Sequence, residues 1–273
     1  MKFHYILPLL AMAAPLMAED AVPRTGKNFI ETTAYTLEED LEVLSAFAGL
    51  RVADVSDGMD KVGLPDTGLV NPEIHPLWKD TTNYSHRIIG IAVTARYVPT
   101  QRPHAADRDT EGFDAWVGNF YNSYSSEPFT PLLREGSVLV IDEAEDTDVG
   151  SIGSYNILAW MQMGAVGVVT DGTSRDTDEI IAQGVPLYLR HPGRGIRPGR
   201  NEIESVNRPV TIGGVLVMPG DVVVADGDGV IVVPRAVALE VAAYAQGIIE
   251  ADKAGRRDLY RQLGREEDIS VQP

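Results

Sequence analysis

The sequence predicts an α/β fold, and three observations carry that prediction. Apolar runs of strand length alternate with helical patterns between residues 88 and 190. A set of short β runs follows at 208–234, cut by Gly-Gly, Pro-Gly-Asp and Asp-Gly-Asp-Gly turns. A long helical stripe begins at Pro234.

The elements follow in order. In "TLEEDLEVLSAFAGL" (36–50), Leu41, Leu44 and Phe47 have helical spacing, and Thr36 with Glu39 forms a capping-box signature. Residues 51–63 read as a second short helix and 64–87 as a Pro- and Asn-rich loop. "IIGIAVTARYV" (88–98) reads as a strand and 112–124 as an aromatic-bearing helix. "GSVLVIDEA" (136–144) is a turn and buried strand, and 153–172 is helix, glycine turn and strand. A helix starts in "RDTDEIIAQG", and "VPLYLR" (185–190) is another strand. Residues 208–234 form two hairpins, with 226–229 as a tight turn and not a calcium loop, since the later ligands and closing Glu are missing. Val237, Val241, Tyr244 and Ile248 mark the stripe of the last helix. No internal repeat divides the 273 residues, so one domain over 37–255 is expected, with a charged tail at 256–273.

The formal charge of -17 disfavours nucleic acid and anionic membranes. With no cysteine, the chain has no disulfide, thiolate nucleophile or Cys-based zinc site. The N-terminus places Lys2 before a 13-residue apolar run, Ile6–Ala18, too short for a membrane span. Residues 1–18 therefore read as a signal peptide and 19–36 as a polar leader, which predicts a periplasmic or secreted protein with no membrane span in its mature form. His4, His75, His86 and His104 lack metal-ligand spacing and read as structural or surface residues.

Arg175 and Asp176 stand just past a buried strand, with Asp178 and Glu179 behind them. Taken alone, such a pair is a helix-start charge pair, with Asp176 in the first turn and Arg175 solvated. Asp178 and Glu179 read as dipole partners, and Asp171 as a turn residue. The loop 189–204 gathers Arg190, Arg194, Arg197, Arg200 and His191. It reads either as a mouth for anions or as a source of intersubunit salt bridges.

"GSYNILAWMQMGAVGVVTDGTSRDTDEI", followed by "ESVNRPVTIGGVLVMPGDVVVADGDGVIVVP", resembles the RraA-like family over roughly residues 40–255. That family includes 4-hydroxy-4-methyl-2-oxoglutarate aldolases with oxaloacetate decarboxylase side activity and the regulator of ribonuclease E activity. Older naming called members demethylmenaquinone methyltransferases. The resemblance implies a swivelling-domain-type α/β/β sandwich with C-terminal hairpins and a long C-terminal helix. It also implies homotrimers or hexamers and a divalent metal at the subunit interface.

The aldolases carry a Gly-acid pair about twenty residues before Arg-Asp. Here Arg175–Asp176 matches the second pair, Gly153 keeps the glycine, and Ser154 replaces the acid. By this resemblance Asp176 is the ligand of Mg²⁺ or Mn²⁺, and Arg175 is catalytic and binds a substrate carboxylate. Gly153, Ser154, Tyr155 and Asn156 form a helix start whose N–H groups hold an anion, with Ser154 also as N-cap. Glu202 and Glu204 are the counterparts of the acids that an adjacent subunit supplies. A serine cannot act as a carboxylate base, so proton transfer is left to Asp148, Glu145, Glu143 or a neighbouring subunit. The implied activity is a metal-dependent lyase that releases pyruvate from a small 2-keto acid by aldol cleavage or decarboxylation. The alternative, which Ser154 motivates, is a non-catalytic protein holding a keto acid or a protein partner.

Overall fold

The computed structural model describes residues 29–103, 109–143 and 148–272. The signal peptide, most of the leader, Glu145, His4 and His104 lie outside the described residues. One compact unit runs from Thr32 to Pro273.

Its elements in chain order are α1 (Leu37–Phe47), α2 (Val52–Lys61), β1 (His75–Pro76), β2 (Ile88–Pro99), α3 (Thr110–Ser123), β3 (Ser137–Asp142) and β4 (Gly150–Ile152). Next come α4 (Ser154–Gln162), β5 (Ala165–Thr170), β6 (Thr173–Ser174), α5 (Thr177–Gln183), β7 (Leu187–Leu189), β8 (His191–Pro192) and β9 (Asn201–Val206). The hairpins β10 (Val210–Ile212)/β11 (Val215–Val217) and β12 (Val222–Asp226)/β13 (Gly229–Val233) precede α6 (Ala238–Leu263).

The main sheet has the order β1-β7-β5-β3-β2-β12-β13. β2, β3, β5 and β7 run parallel. The twelve-residue β2 divides one edge between two antiparallel partners, β12 along Ile88–Ile91 and β9 along Ala95–Pro99.

Strand alternation sorts side chains onto two faces. Ile91, Val93, Ala95, Leu139 and Ile141 face the helices. Ala92, Val138 and Val140 face the small hairpin β10–β11. The α/β/β sandwich is therefore present: helices, mixed sheet, hairpin layer. β4, β6 and β8 form a second, parallel sheet beyond the carboxyl ends of β3 and β5.

Two expected helix stripes are displaced. α1 buries Asp40, Val43 and Phe47, whereas Leu41 is exposed. Asp40 is inside because Arg134 and Arg235 bind it. α6 buries Ala238, Val241, Ala242, Ala245 and Ile249 instead of Tyr244 and Ile248. A 3₁₀ turn at Arg235–Val237 delays the helix, and its small residues allow α2 to approach closely. The helix runs through Gly255 to Leu263, and Val271 beyond it is buried. The turn at 226–229 is a tight hairpin; Asp226 Oδ2 also accepts the Val52 N–H.

Candidate active site at the ends of the parallel strands

The parallel pairing of β4 with β6, in register at Gly150↔Thr173 and Ile152↔Ser174, brings the start of α4 beside Arg175 and Asp176. The Arg175 N–H donates to the Ile152 carbonyl at 2.9 Å. The Arg175 stem lies over Gly150, where an added Cβ would sit 2.6 Å from the Arg175 Cβ.

Asp176 is not in the first turn of α5. It is the N-cap, in the left-handed region at φ 57° and ψ 37°, and makes no side-chain cap bond to its own helix. Asp tolerates this conformation better than most residues. The turn sends the carboxylate across to α4, where Oδ2 accepts from the Ser154 N–H at 3.2 Å and the Ser154 Oγ–H at 3.5 Å. Ser154 is accordingly the first helical residue and not the cap; Gly153 occupies the cap position. The anion at the α4 N-terminus is thus Asp176 itself, where the helix dipole favours it. The N–H groups of Tyr155 and Asn156, next in that first turn, have no acceptor within the helix. Arg175 Nε lies 3.9 Å from Asp176 Oδ1, and both side chains are 39% exposed.

Gly153, Tyr155, Asn156 and Arg175 line a cavity of about 530 Å³, within the range of small-molecule sites. Its deeper wall holds residues the sequence did not single out. Glu127, between α3 and β3, accepts from Asn156 Nδ2 at 2.5 Å, Trp160 Nε1 at 3.0 Å and Arg197 Nη2 at 2.7 Å. Arg197, only 5% exposed, also donates to Tyr97 Oη at 2.7 Å. No local motif marks Glu127, because its partners are distant in sequence. Arg197 was visible only as one member of a basic loop.

The rest of that loop does not converge on the cavity. Arg190 pairs with Glu73, Arg194 with Asp148, and Arg200 donates to the Ile196 carbonyl. Asp148 is thereby held by Arg194 at the surface, and its carboxyl stays below the usual range. Glu202 and Glu204 lie on β9 and not in a loop. Within its own chain Glu202 meets Thr100 and Arg102, and Glu204 accepts from the Ser205 hydroxyl. A second cavity, of about 280 Å³, borders Tyr35, Asp40 and Arg134, where the cation is already held by Asp40.

Behind the main cavity lies a buried polar cluster. Glu143, 3% exposed, accepts at Oε1 from the Ser151 hydroxyl and the Asn201 amide. Its N–H donates to Asp171 Oδ1 at 3.2 Å. Burial raises the Glu143 pKa to about 7 and that of Asp171 to about 6.

The fold and the cavity define an α/β protein with the Arg175 guanidinium on the wall of a small-molecule-sized cavity past the carboxyl ends of parallel strands; Asp176 and Ser154 stand beside Arg175 but outside the cavity lining. Residues 52–232 match the model of the RraA-like family, described as Aldolase/RraA, and the chain belongs to that family. It is 26% identical over 224 residues to Protein DlpA of Legionella pneumophila, covering 81% of this chain and 31% of that protein. It is 35% identical over 101 residues to a putative 4-hydroxy-4-methyl-2-oxoglutarate aldolase of Halalkalibacterium halodurans, covering 37% of this chain and 47% of that protein. The chain thus spans less than half of each of these two relatives' lengths, 31% and 47%. Among solved structures, a Pseudomonas syringae protein superposes with a TM-score of 0.63 at 25% identity, over 87% of this chain and 97% of the other. Streptomyces coelicolor RraAS2 shares the fold with a TM-score of 0.63 at 23% identity, over 80% and 98%.

Proposed function

We propose that the protein is a divalent-metal-dependent lyase that releases pyruvate from a small 2-keto acid, by aldol cleavage or by decarboxylation of a β-keto acid. The observation that carries this reading is the Asp176 carboxylate, turned out of its own helix and held at the α4 N-terminus beside Arg175. Relatives named as putative 4-hydroxy-4-methyl-2-oxoglutarate aldolases support the reaction class.

The donor set fits a hydrated Mg²⁺ or Mn²⁺. Among the described residues no cluster of three or more His, Cys, Asp or Glu forms a cage. A single exposed carboxylate is what Mg²⁺ uses when it keeps several waters. Asp176 would hold the ion, which would supply Lewis-acid stabilisation of the charge developing on the keto oxygen. The chain's residues do the rest. Arg175 pairs with a substrate carboxylate, the Tyr155 and Asn156 N–H groups orient a second oxygen, and Glu127 fixes Asn156 by a hydrogen bond.

A coupled pyruvate-release assay tests this. Oxaloacetate and 4-hydroxy-4-methyl-2-oxoglutarate are supplied with Mg²⁺, Mn²⁺ or EDTA. Release should require the metal and fall at least about 100-fold in Asp176→Ala. Metal-dependent binding of a keto acid without turnover would instead support the non-catalytic reading that Ser154 favours. We further infer export through residues 1–18, which N-terminal sequencing of the mature chain would test. We also infer assembly as a homotrimer or hexamer, with Glu202 and Glu204 facing a neighbour's cavity.

A further inference from the structure

We propose that Glu143 is the proton store of this cavity and that it exchanges a proton with the substrate through the hydroxyl of Ser151. The inference rests on the lyase reading and supplies the base that Ser154 cannot be. Ser151 lines the cavity on β4, and its hydroxyl donates to Glu143 Oε1. The Asn201 amide bridges the two, donating to Glu143 Oε1 and, at 3.0 Å, to Ser151 Oγ. Ser125, also on the cavity wall, donates to Asn201 Oδ1 at 3.3 Å. One carboxyl deep in the protein is therefore wired to two hydroxyls at the cavity.

Glu143 is poorly satisfied for a residue with a purely structural role. Its Oε2 is buried with no hydrogen-bond partner among the described residues, and occupies the space that a side chain at Gly172 would need. A carboxylate anion with a bare oxygen in low dielectric is costly, which favours the protonated form, while the two donors on Oε1 favour the anion. The charged and titratable groups acting on it are Arg197 before β9, Asp171 after β5 and Tyr97 on β2. Arg197 favours the anion and Asp171 opposes it. The resulting pKa of about 7 suits exchange in either direction.

The atom balance closes for aldol cleavage. The substrate's C4 hydroxyl gives its proton to Ser151 Oγ as the Ser151 proton passes to Glu143 Oε1. The C3–C4 bond breaks, its electron pair forming the pyruvate enolate while C4 becomes a carbonyl. Glu143 then returns the proton through Ser151 to the enolate carbon, and no net proton is consumed.

The test combines turnover with a measurement that needs none. In the wild type, kcat for 4-hydroxy-4-methyl-2-oxoglutarate with Mg²⁺ should rise with pH through an acid limb near pH 7. Glu143→Gln should abolish that limb and lower kcat about 100-fold. Ser151→Ala, a smaller change, should lower kcat comparably with KM within about twofold. Separately, calorimetry of oxalate binding with Mg²⁺ at pH 7, in two buffers of different ionisation enthalpy, should show proton uptake that Glu143→Gln lacks. Wild-type kcat and an intact acid limb in both variants would overturn the relay. So would oxalate binding with no proton uptake. If the wild type releases no pyruvate, the lyase reading falls, and proton uptake alone still judges whether Glu143 is linked to the cavity. Absence of oxalate binding would remove the anion site and both readings with it.

Discussion

Gly153 shows how finely the site is set. A Cβ there would lie 3.0 Å from Asp176 Oδ2, so Gly153→Ala should push the carboxylate off the α4 N-terminus. We expect pyruvate release to fall about 10- to 100-fold with little change in melting temperature, read by kinetics beside a thermal melt. Glu143 and Asp171 set a pH dependence of stability. Their folded pKa values, about 7 and about 6, lie above those of an unfolded chain. Their favourable contribution is complete below about pH 4 and is lost progressively as pH rises from about 4 through the folded values of about 6 and about 7. Urea titrations should therefore show Glu143→Gln gaining on the wild type between pH 4 and pH 8, by on the order of 3 kcal/mol. On the proposed lyase reading the same variant should lose turnover, so stability and activity should move in opposite directions. Arg175–Asp176 and Gly153 were legible through the resemblance to the family's paired motif, whereas Glu127, Ser151 and the bonding of Glu143 were not. Each of those depends on contacts between segments far apart in sequence.

At the level of elements, α1 is fastened by charge as much as by its apolar face. Asp40 Oδ1 accepts from Arg235 Nη1 at 2.8 Å and Oδ2 from Arg134. Asp40→Ala would leave two guanidiniums without that carboxylate and should cost about 3 kcal/mol in denaturant titration. α2 and α6 meet at Gly58, where a Cβ would lie 2.8 Å from the Val241 carbonyl oxygen. Alanine is the better helix former by about 1 kcal/mol, but the clash with fixed backbone outweighs that. Gly58→Ala should lower the melting temperature. The helix stripes read from the sequence were displaced because helical period alone does not choose a face. Asp40 entered the core of α1 once its partners were in place, and Tyr244 yielded to alanines where two helices nearly touch.

At the scale of the whole molecule, the proposed assembly would bring β9 of one subunit to the cavity of the next. Glu202 and Glu204 on β9 do not line the cavity of their own chain. If a neighbour's β9 completes the site, co-assembled Asp176→Ala and Glu204→Ala subunits should regain part of the activity that each lacks alone. Sedimentation should give a trimer or a multiple of three. Recovery of no activity, with each variant well assembled, would place those acids outside the chemistry.

The sequence by itself determined the α/β class, the order of the main helices and of the core strands β2, β3, β5 and β7, and both hairpins, but not β1, β4, β6, β8 or β9; the resemblance to the family supplied Arg175–Asp176. Periodicity, capping residues and glycine turns are local, and local signals survive in one dimension. Only the tertiary structure decided where Asp176 points, since that needs a left-handed turn and the β4–β6 register together. It also decided that Glu143 lies buried behind Ser151 with one oxygen unpaired. The pKa of a carboxyl depends on which charges and dipoles surround it, and those neighbours come from β4, β5, β9 and the segment before β9.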